Sequence, residues 1–343
     1  MPKHITIKYI FAIASFLFIQ SINAQDLHFS QYINAPLLVN PANTGFNPDF
    51  DYRIGGNYRN QWSSVTNNPY KTMSIWTDAQ LFNNRFENAW VGVGASLLQD
   101  VAGAGNLTST KGYASVAYHQ LLDDNNLISG GFNLGFTQKR IDLNKLTFNS
   151  QWNGRFFDIA VPSNEPFVYN SVTYFTLQAG MNYAHFGNKF YYNIGASVTN
   201  INRPNESFFS NYNANTLLER RLTVFANASF KMQDVWIFNP NIYYSRMSTA
   251  NEIVVGGMVQ RDLSLENNGS TQLLAGCYYR VEDAIIPMIG FTLGNTSFTF
   301  NYDATTSSLK STNKTLGAYE ISIVKNGLYK AGEKNIKCPT MRY

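Results

Sequence analysis

The chain has 343 residues, of which 14% are charged and 15% aromatic, and its formal net charge is +4. So few charges are unusual in a soluble protein, and the scattered lysines and arginines form no basic run, which argues against nucleic acid as a partner. With a mean hydropathy of −0.22, this composition excludes a bundle of membrane helices and favours a transmembrane β-barrel, whose strands are apolar only at every second position.

The first 24 residues are predicted to be a secretory signal peptide. Lys3 and Lys8 give a positive start, residues 9–19 form an apolar stretch, and Ala24 supplies a small residue before the cleavage point. No cysteine lies directly after the stretch, so a lipid anchor at the new N-terminus is excluded. Beyond it no run approaches the ~20 apolar residues that a spanning helix needs. A membrane location would therefore require a closed barrel.

Residues 25–50 are predicted to be a short non-strand segment, either a periplasmic element or a plug of the barrel. Asn40 is suited to cap one helical turn that has Pro41 in its first position, and Gly45 can end that turn in a left-handed conformation. A plain porin has little use for such a segment before its first strand. The residues predicted to bind a partner or to plug the barrel are Phe29, Tyr32, Asn40, Pro41, Asn43 and Gly45.

Residues 51–325 are predicted to form about fourteen antiparallel strands of a transmembrane outer-membrane β-barrel, so the fold class is all-β. In the first strand Ile54 and Tyr58 alternate with Arg53, Asn57 and Arg59. The polar face of the strands is mostly Asn, Gln, Ser, Thr and Gly, which suits a lumen better than the water-exposed face of a soluble sandwich. Aromatic residues near the strand ends are predicted to form interfacial girdles; they include Tyr52, Trp62, Trp90, Tyr118, Tyr183, Trp236 and Tyr244.

Connection lengths predict which end of the barrel faces outward. The long connections, at 100–108, 139–170, 200–217 and 304–314, fall alternately with short ones, and only 261–270 breaks the alternation. Barrels of this type have long outer loops and short periplasmic turns. We therefore predict that both termini are periplasmic and that residues 326–343 form a periplasmic tail.

Several charged residues are predicted to face the lumen. Two interpretations are open: they line a permeation path, or they pair with one another across a filled lumen. The predicted lumen-lining charges are Arg53, Arg59, Asp78, Arg221, Glu252 and Glu320, and Lys139, Lys231 and Asp303 share the pattern.

The sequence gives little sign of catalysis. His119 shares a strand with Ser115, and Asp78 could lie nearby, but a hydrogen-bonding role in the lumen is the favoured interpretation over a hydrolase triad. The glycine pair Gly92 and Gly94 lies within a strand and opens no helix, which excludes a dinucleotide site. We predict no enzyme activity, no cofactor and no metal site.

The two cysteines, Cys277 and Cys338, form neither a disulfide framework nor a metal-ligand set. Their role is left open.

Motifs at both ends of the mature chain resemble one family. Phe-Ser-Gln-Tyr at 29–32, Asn-Pro-Ala-Asn-Thr-Gly at 40–45 and Arg-Asn-Gln-Trp at 59–62 resemble the start of PorP/SprF proteins. Thr-Leu-Gly-Ala-Tyr-Glu-Ile-Ser-Ile at 315–323 is similar to their last strand, and Cys-Pro at 338–339 with the final Arg-Tyr is similar to their tail. The middle of the chain matches in architecture only.

The resemblance implies an outer-membrane barrel of the type IX secretion and gliding machinery, without catalysis. Its implied partners are the C-terminal sorting domain of a secreted adhesin, periplasmic secretion-motor components and outer-membrane lipid. The alternative functions are a diffusion channel or hydrophobic-substrate transporter and, third, an interfacial enzyme.

Overall fold

The computed structural model describes residues 29–329 except 48, 83–84, 87, 168, 210–215, 233–234 and 265–268. The described residues form fourteen strands that close into one antiparallel barrel, in which β1 also pairs with β14. This confirms the predicted fold class. The predicted signal peptide and most of the predicted tail, with Cys338, lie outside the described residues.

The strands run between these bounds: β1 Tyr52–Gln61, β2 Tyr70–Leu81, β3 Ala89–Ala102, β4 Leu107–Leu121, β5 Asn126–Arg140, β6 Ser171–Phe186, β7 Phe190–Thr199, β8 Arg221–Met232, β9 Trp236–Met247, β10 Ala250–Asp262, β11 Thr271–Arg280, β12 Ala284–Leu293, β13 Thr296–Thr305 and β14 Leu316–Gly327. Each is antiparallel to its neighbours, and the seam between β1 and β14 is in continuous register from Tyr52↔Gly327 to Gln61↔Ala318.

Alternation along the strands separates the outer surface from the lumen. On β6, Phe175 and Met181 are 60% and 61% exposed on the outside, whereas Thr176 and Asn182 are buried inside. Successive side chains of a strand point to opposite faces. In a closed barrel one face meets lipid and the other the lumen, so apolar and carboxamide or hydroxyl side chains alternate.

The two ends of the barrel differ. One end, hereafter the long-loop end, carries the connections 141–170 and 200–220, and the other, the short-turn end, carries turns such as 187–189 and 294–295. The connection 263–270 is the exception at the short-turn end, as predicted. The prediction of a long connection at 100–108 is wrong, because β3 and β4 stay paired through Asp100↔Ser109 and leave only a turn at 103–106.

The N-terminal segment has no strand. It contains a 3₁₀ turn at Tyr32–Asn34, the short helix α1 at Pro36–Val39 and a second 3₁₀ turn at Pro41–Asn43. Other short helical pieces lie in the long-loop-end connections: Leu143–Lys145, Asn149–Gln151 and α2, Lys310–Asn313. Among the described residues, none of these helices has the length and apolar character to cross a membrane.

The N-terminal segment runs the length of the lumen. Ser30 lies against Arg59, Asp303 and Glu320 near the long-loop end, and Gly45 lies against Gly92 at the short-turn end. The last described residue, Tyr329, donates its backbone N–H to Asp51 beside the start of β1. The first and last described residues thus lie at opposite ends of the barrel. The termini, whose sidedness remains a prediction, lie outside the described residues.

Candidate functional site

Residues 29–47 form a plug inside the lumen, and we use that name for them below. Leu37, Asn40, Ala42 and Thr44 have side chains with 0% exposure. All six residues predicted to bind a partner or to plug the barrel belong to this segment. Backbone hydrogen bonds within its turns satisfy part of its polar groups, and side chains of the barrel wall bond several of the others, as buried backbone groups require.

The turn predicted around Asn40 is present. The Asn40 side chain accepts a hydrogen bond from the Ala42 backbone N–H at 2.9 Å, with Pro41 in the first position of the 3₁₀ turn. Gly45 follows with φ +67°, the left-handed region in which glycine is unstrained. Cap, proline and left-handed glycine thus occupy the places that the sequence predicts for them.

A buried charged cluster holds the beginning of the plug. Glu320 accepts hydrogen bonds from the backbone N–H groups of Ser30 and Gln31 at 2.6 and 2.9 Å. The Ser30 hydroxyl donates to Asp303 at 2.6 Å. Arg59 lies 2.9 Å from Asp303 and 2.5 Å from Glu320. A buried charge is tolerated only when it is paired and hydrogen-bonded, and here the plug backbone supplies part of that pairing.

Arg280 completes the charged cluster, although it is not among the residues that the sequence predicts to face the lumen. Its guanidinium lies 3.1 Å from Asp303 and 3.1 Å from Glu252. On its strand the lumen-facing positions include Leu274 and Tyr278, so an apolar inner face concealed the alternation. The signal available in the sequence was its position at the end of β11, with Glu282 and Asp283 in the turn that follows.

Side chains of the wall bond the middle of the plug. Asn133 and Ser197 donate to the carbonyl oxygens of Leu37 and Val39 at 3.4 and 2.7 Å. Asn182 donates to the Asn43 side chain at 3.0 Å. A lumen rich in Asn and Ser is therefore matched to a peptide backbone rather than to bulk water.

Glycines of the wall let the plug approach closely. A Cβ added at Gly131 would lie 2.4 Å from the Pro41 carbonyl carbon, and one at Gly92 would lie 1.9 Å from the Thr44 carbonyl oxygen. Both distances are below any real Cβ contact. These positions therefore require glycine because the plug backbone occupies the space of a side chain.

A second group of polar contacts holds the plug at the short-turn end. Asp78 accepts from the Gly45 backbone N–H at 2.7 Å and pairs with Arg53. His119 donates from Nε2 to the Thr44 carbonyl oxygen at 2.8 Å, and Trp90 donates from its indole to the Gly45 carbonyl oxygen at 3.0 Å. Of the charges predicted to face the lumen, Arg53 and Asp78 thus pair here, and Arg59, Glu320 and Glu252 belong to the cluster around Arg59.

Two expectations about individual side chains are settled by these contacts. Trp90 does not join an interfacial girdle: it faces inward and stacks on His119 at 4.9 Å, because β3 directs it toward the plug with Gly92. His119 bonds Ser129 and the plug rather than Ser115. Its lumen hydrogen-bonding role is confirmed.

Aromatic contacts fill the space around the first turn of the plug. Tyr32 packs on Tyr243 with ring centroids 4.8 Å apart. Phe29 packs with Ala35 and Leu98. Arg221 lines a small cavity beside these rings. Among the described residues, no three side chains come together as a metal site.

Fold and site together define a membrane β-barrel whose lumen is occupied by its own N-terminal segment. The profile of the type IX secretion system membrane protein family PorP/SprF matches residues 21–324. The chain therefore belongs to the PorP/SprF family, which confirms the resemblance noted in the sequence. Among curated proteins no sequence matches this chain.

Solved structures with a similar architecture include membrane channels. The CymD monoaromatic hydrocarbon channel is 11% identical with a TM-score of 0.48, over 86% of this chain and 93% of that chain. The toluene transporter TodX of Pseudomonas putida is 12% identical with a TM-score of 0.49, over 85% and 92%. TbuX, the toluene transporter of Ralstonia pickettii, is 10% identical with a TM-score of 0.48, over 87% and 94%. Likeness at this level carries no functional argument.

Proposed function

We propose that this chain is a non-enzymatic outer-membrane barrel of the type IX secretion system that secretes or anchors surface proteins. It binds the C-terminal sorting domain of a secreted adhesin, periplasmic components of the secretion motor, or both. Family membership supports the system to which it belongs. The observation that supports binding over transport is the plug, which spans the lumen from the Ser30 cluster to Gly45.

The alternative is a diffusion channel or a transporter of hydrophobic substrates. A channel needs a continuous path, yet the plug is bonded to the wall near both ends of the lumen, with cavities of about 340 and 50 Å³ beside it. Transport through the lumen would first have to break the pairs of Arg59 and Arg53. The filled lumen therefore favours a barrel that holds partners over one that passes solutes.

Copurification tests the partner class directly. The tagged barrel is isolated in mild detergent from native envelopes, with an unrelated tagged outer-membrane barrel from the same cells as the control. We expect enrichment of a secreted adhesin or of type IX components, measured by quantitative mass spectrometry. Recovery of neither class above the control would contradict the proposal.

Conductance tests the alternative. The purified barrel is inserted into planar bilayers, and we expect little steady current because the plug fills the lumen. A large, steady conductance of the unliganded wild-type barrel would support a diffusion channel instead.

A further inference from the structure

Strand β6 is longer than its neighbour β7, and this leaves part of one edge of β6 without a partner strand. β5 pairs with β6 from Arg140↔Ser171 onward, whereas β7 pairs with β6 only from Ala179 onward. Within the described part of the chain, residues 171–178 therefore have no strand on the β7 side. An unpaired strand edge presents a row of N–H and C=O groups with which another chain can pair.

One side chain takes the place of the missing strand at the start of this edge. The Asn202 carboxamide accepts from the Leu177 N–H at 3.0 Å and donates to the Phe175 carbonyl oxygen at 2.8 Å. The Leu177 carbonyl oxygen accepts from the Ile201 N–H at 3.0 Å. The odd-numbered residues of β6 thus turn their backbone groups toward the open side. A single amide group, the unit of a peptide backbone, already fits this edge.

The next two positions along the same edge have no such partner. Thr173 and Ser171 follow the same alternation, and no described residue bonds their backbone N–H or C=O groups from the open side. Beyond them, Tyr169 donates its N–H to the Phe208 carbonyl oxygen at 3.1 Å, which bounds the gap. Two consecutive edge positions therefore offer two donors and two acceptors.

A cavity of about 520 Å³ lies beside these free groups. β6 forms one wall of it, and Asn205, Ser207 and Phe209 of the connection 200–220 form the other. The described lining residues carry no charge, and the carboxylate of Glu206 nearby is already paired with a lysine of β5. The cavity lies at the long-loop end, which is the outer end in barrels of this type.

We propose that this edge of β6 binds an extended, uncharged segment of another protein by antiparallel strand addition at the outer end of the barrel. A segment of three residues, about 10 Å long, matches the free groups, because its first and third residues exchange N–H···O=C bonds with Thr173 and Ser171. Strand addition takes affinity from the main chain and specificity from contacts of alternate side chains. The exposed rings of Tyr169 and Phe209 provide apolar contact for those side chains.

The free groups favour a peptide of another protein over lipid and over the chain's own tail. An acyl chain has no donor or acceptor for the edge, so it would leave all four groups unpaired. Residues 330–343 follow Tyr329, which bonds Asp51 at the opposite, short-turn end of the barrel. The inference deepens the proposed function and rests on it only for the source of the segment, a surface protein that the barrel secretes or anchors.

Disulfide tethering tests strand addition in the purified full-length barrel. Thr173, exposed on the outer face, is replaced by Cys in a Cys277→Ser, Cys338→Ser background. The probe is acetyl-Val-Thr-Cys-Thr-Val-amide in a redox buffer. Tethering is read by intact mass spectrometry and corrected for thiol access with 2-hydroxyethyl disulfide. In a hydrogen-bonded antiparallel pair the two Cα atoms lie about 5.5 Å apart, a distance that a disulfide spans.

Backbone methylation of the probe separates strand pairing from other kinds of binding. The tether places the cysteine of the probe opposite residue 173, so the N–H of that cysteine faces β6, whereas the N–H groups of the two threonines face away. We expect N-methylation of the cysteine to lower tethering about 2- to 10-fold, the range for one hydrogen bond. N-methylation of the first threonine should lower it less. Equal tethering of the two methylated probes would overturn the inference.

Gln99→Cys provides the matched control position. Gln99 is also exposed on the outer face, but its strand, β3, is paired on both sides, with Met73 and with Thr110. No free edge lies beside it, so the unmodified probe and the two methylated probes should tether there alike. The same preference at Gln99→Cys and Thr173→Cys would show that it belongs to the probes and would overturn the inference.

A substitution in the barrel removes one of the free groups. Ser171→Pro deletes an N–H at the first position of a strand, where proline is tolerated, and should lower tethering to Thr173→Cys about 2- to 10-fold. No effect in barrels that keep their heat-modifiable gel mobility would overturn the inference. Tethering that appears only after residues 210–215 are replaced by Gly-Ser repeats would assign the edge to the chain's own loop and overturn it too.

These outcomes are separable from the proposed function. Preferential tethering with no adhesin or type IX component in the copurification would support the strand-addition site and contradict the secretion partner. Copurification without preferential tethering would contradict the site and leave the proposed function standing.

Discussion

Two adjacent glycines on β5 offer a direct test of how the plug is seated. A Cβ at Gly131 would lie 2.4 Å from the Pro41 carbonyl carbon and 2.5 Å from the Ala42 backbone nitrogen, whereas a Cβ at Gly130 would meet nothing within 4 Å. Gly131→Ala therefore forces the plug to move by roughly 1 Å to restore an ordinary contact. Overpacking of this kind costs about 1–3 kcal/mol. Gly130→Ala, on the outer face, has no such cost.

The expected readout is exposure of the plug. With Thr44→Cys, at a site of 0% exposure, in the background that lacks Cys277 and Cys338, maleimide labelling follows the fraction of molecules whose plug has opened. Gly131→Ala should raise the labelling rate roughly 5- to 150-fold, the range that corresponds to 1–3 kcal/mol, and Gly130→Ala should leave it unchanged. Equal rates in the two variants would refute the close packing of plug and wall.

Other substitutions test the charged cluster and the plug's final turn. Glu320→Gln leaves the buried charge of Arg59 with less compensation, so we expect the free energy of unfolding to fall by about 3–5 kcal/mol. Glu219→Gln, in an exposed ion pair with Arg203, should lower it by no more than about 1 kcal/mol. Denaturant midpoints in detergent measure both changes. Similar midpoints for the two variants would contradict a role of the cluster in stability. Gly45→Val and Gly103→Val both place valine at positive φ, +67° and +68°, a strain of roughly 1–2 kcal/mol. Of the two, only Gly45 also meets a neighbour, at 2.6 Å, so we expect Gly45→Val to lose more stability than Gly103→Val. A greater loss of stability at Gly103 would show that packing at the plug is unimportant.

The barrel and its strand count are predictable from the sequence because each strand meets lipid on one face and the lumen on the other. The turn at Asn40 is equally local, since cap, proline and glycine act within six positions. The path of the plug is not local. Gly131 contacts Pro41 only because β5 and the plug share the lumen, and nothing in either stretch records that proximity. The orientation of Arg280 and Trp90 was not predicted for a related reason. Their lumen-facing neighbours on the strand are apolar residues or glycine, because these positions face the plug and not water.

The charged cluster spans the seam of the barrel, and this constrains biogenesis. Arg59 lies on the first strand and Glu320 on the last, in direct register, and both bond Ser30, which precedes them in the chain. A segment wider than an extended chain, with a helical turn and a left-handed glycine, cannot readily be threaded through a sealed cylinder. We therefore expect the sheet to curl around the N-terminal segment before its edges meet, because the ion pairs across the seam also hold that segment.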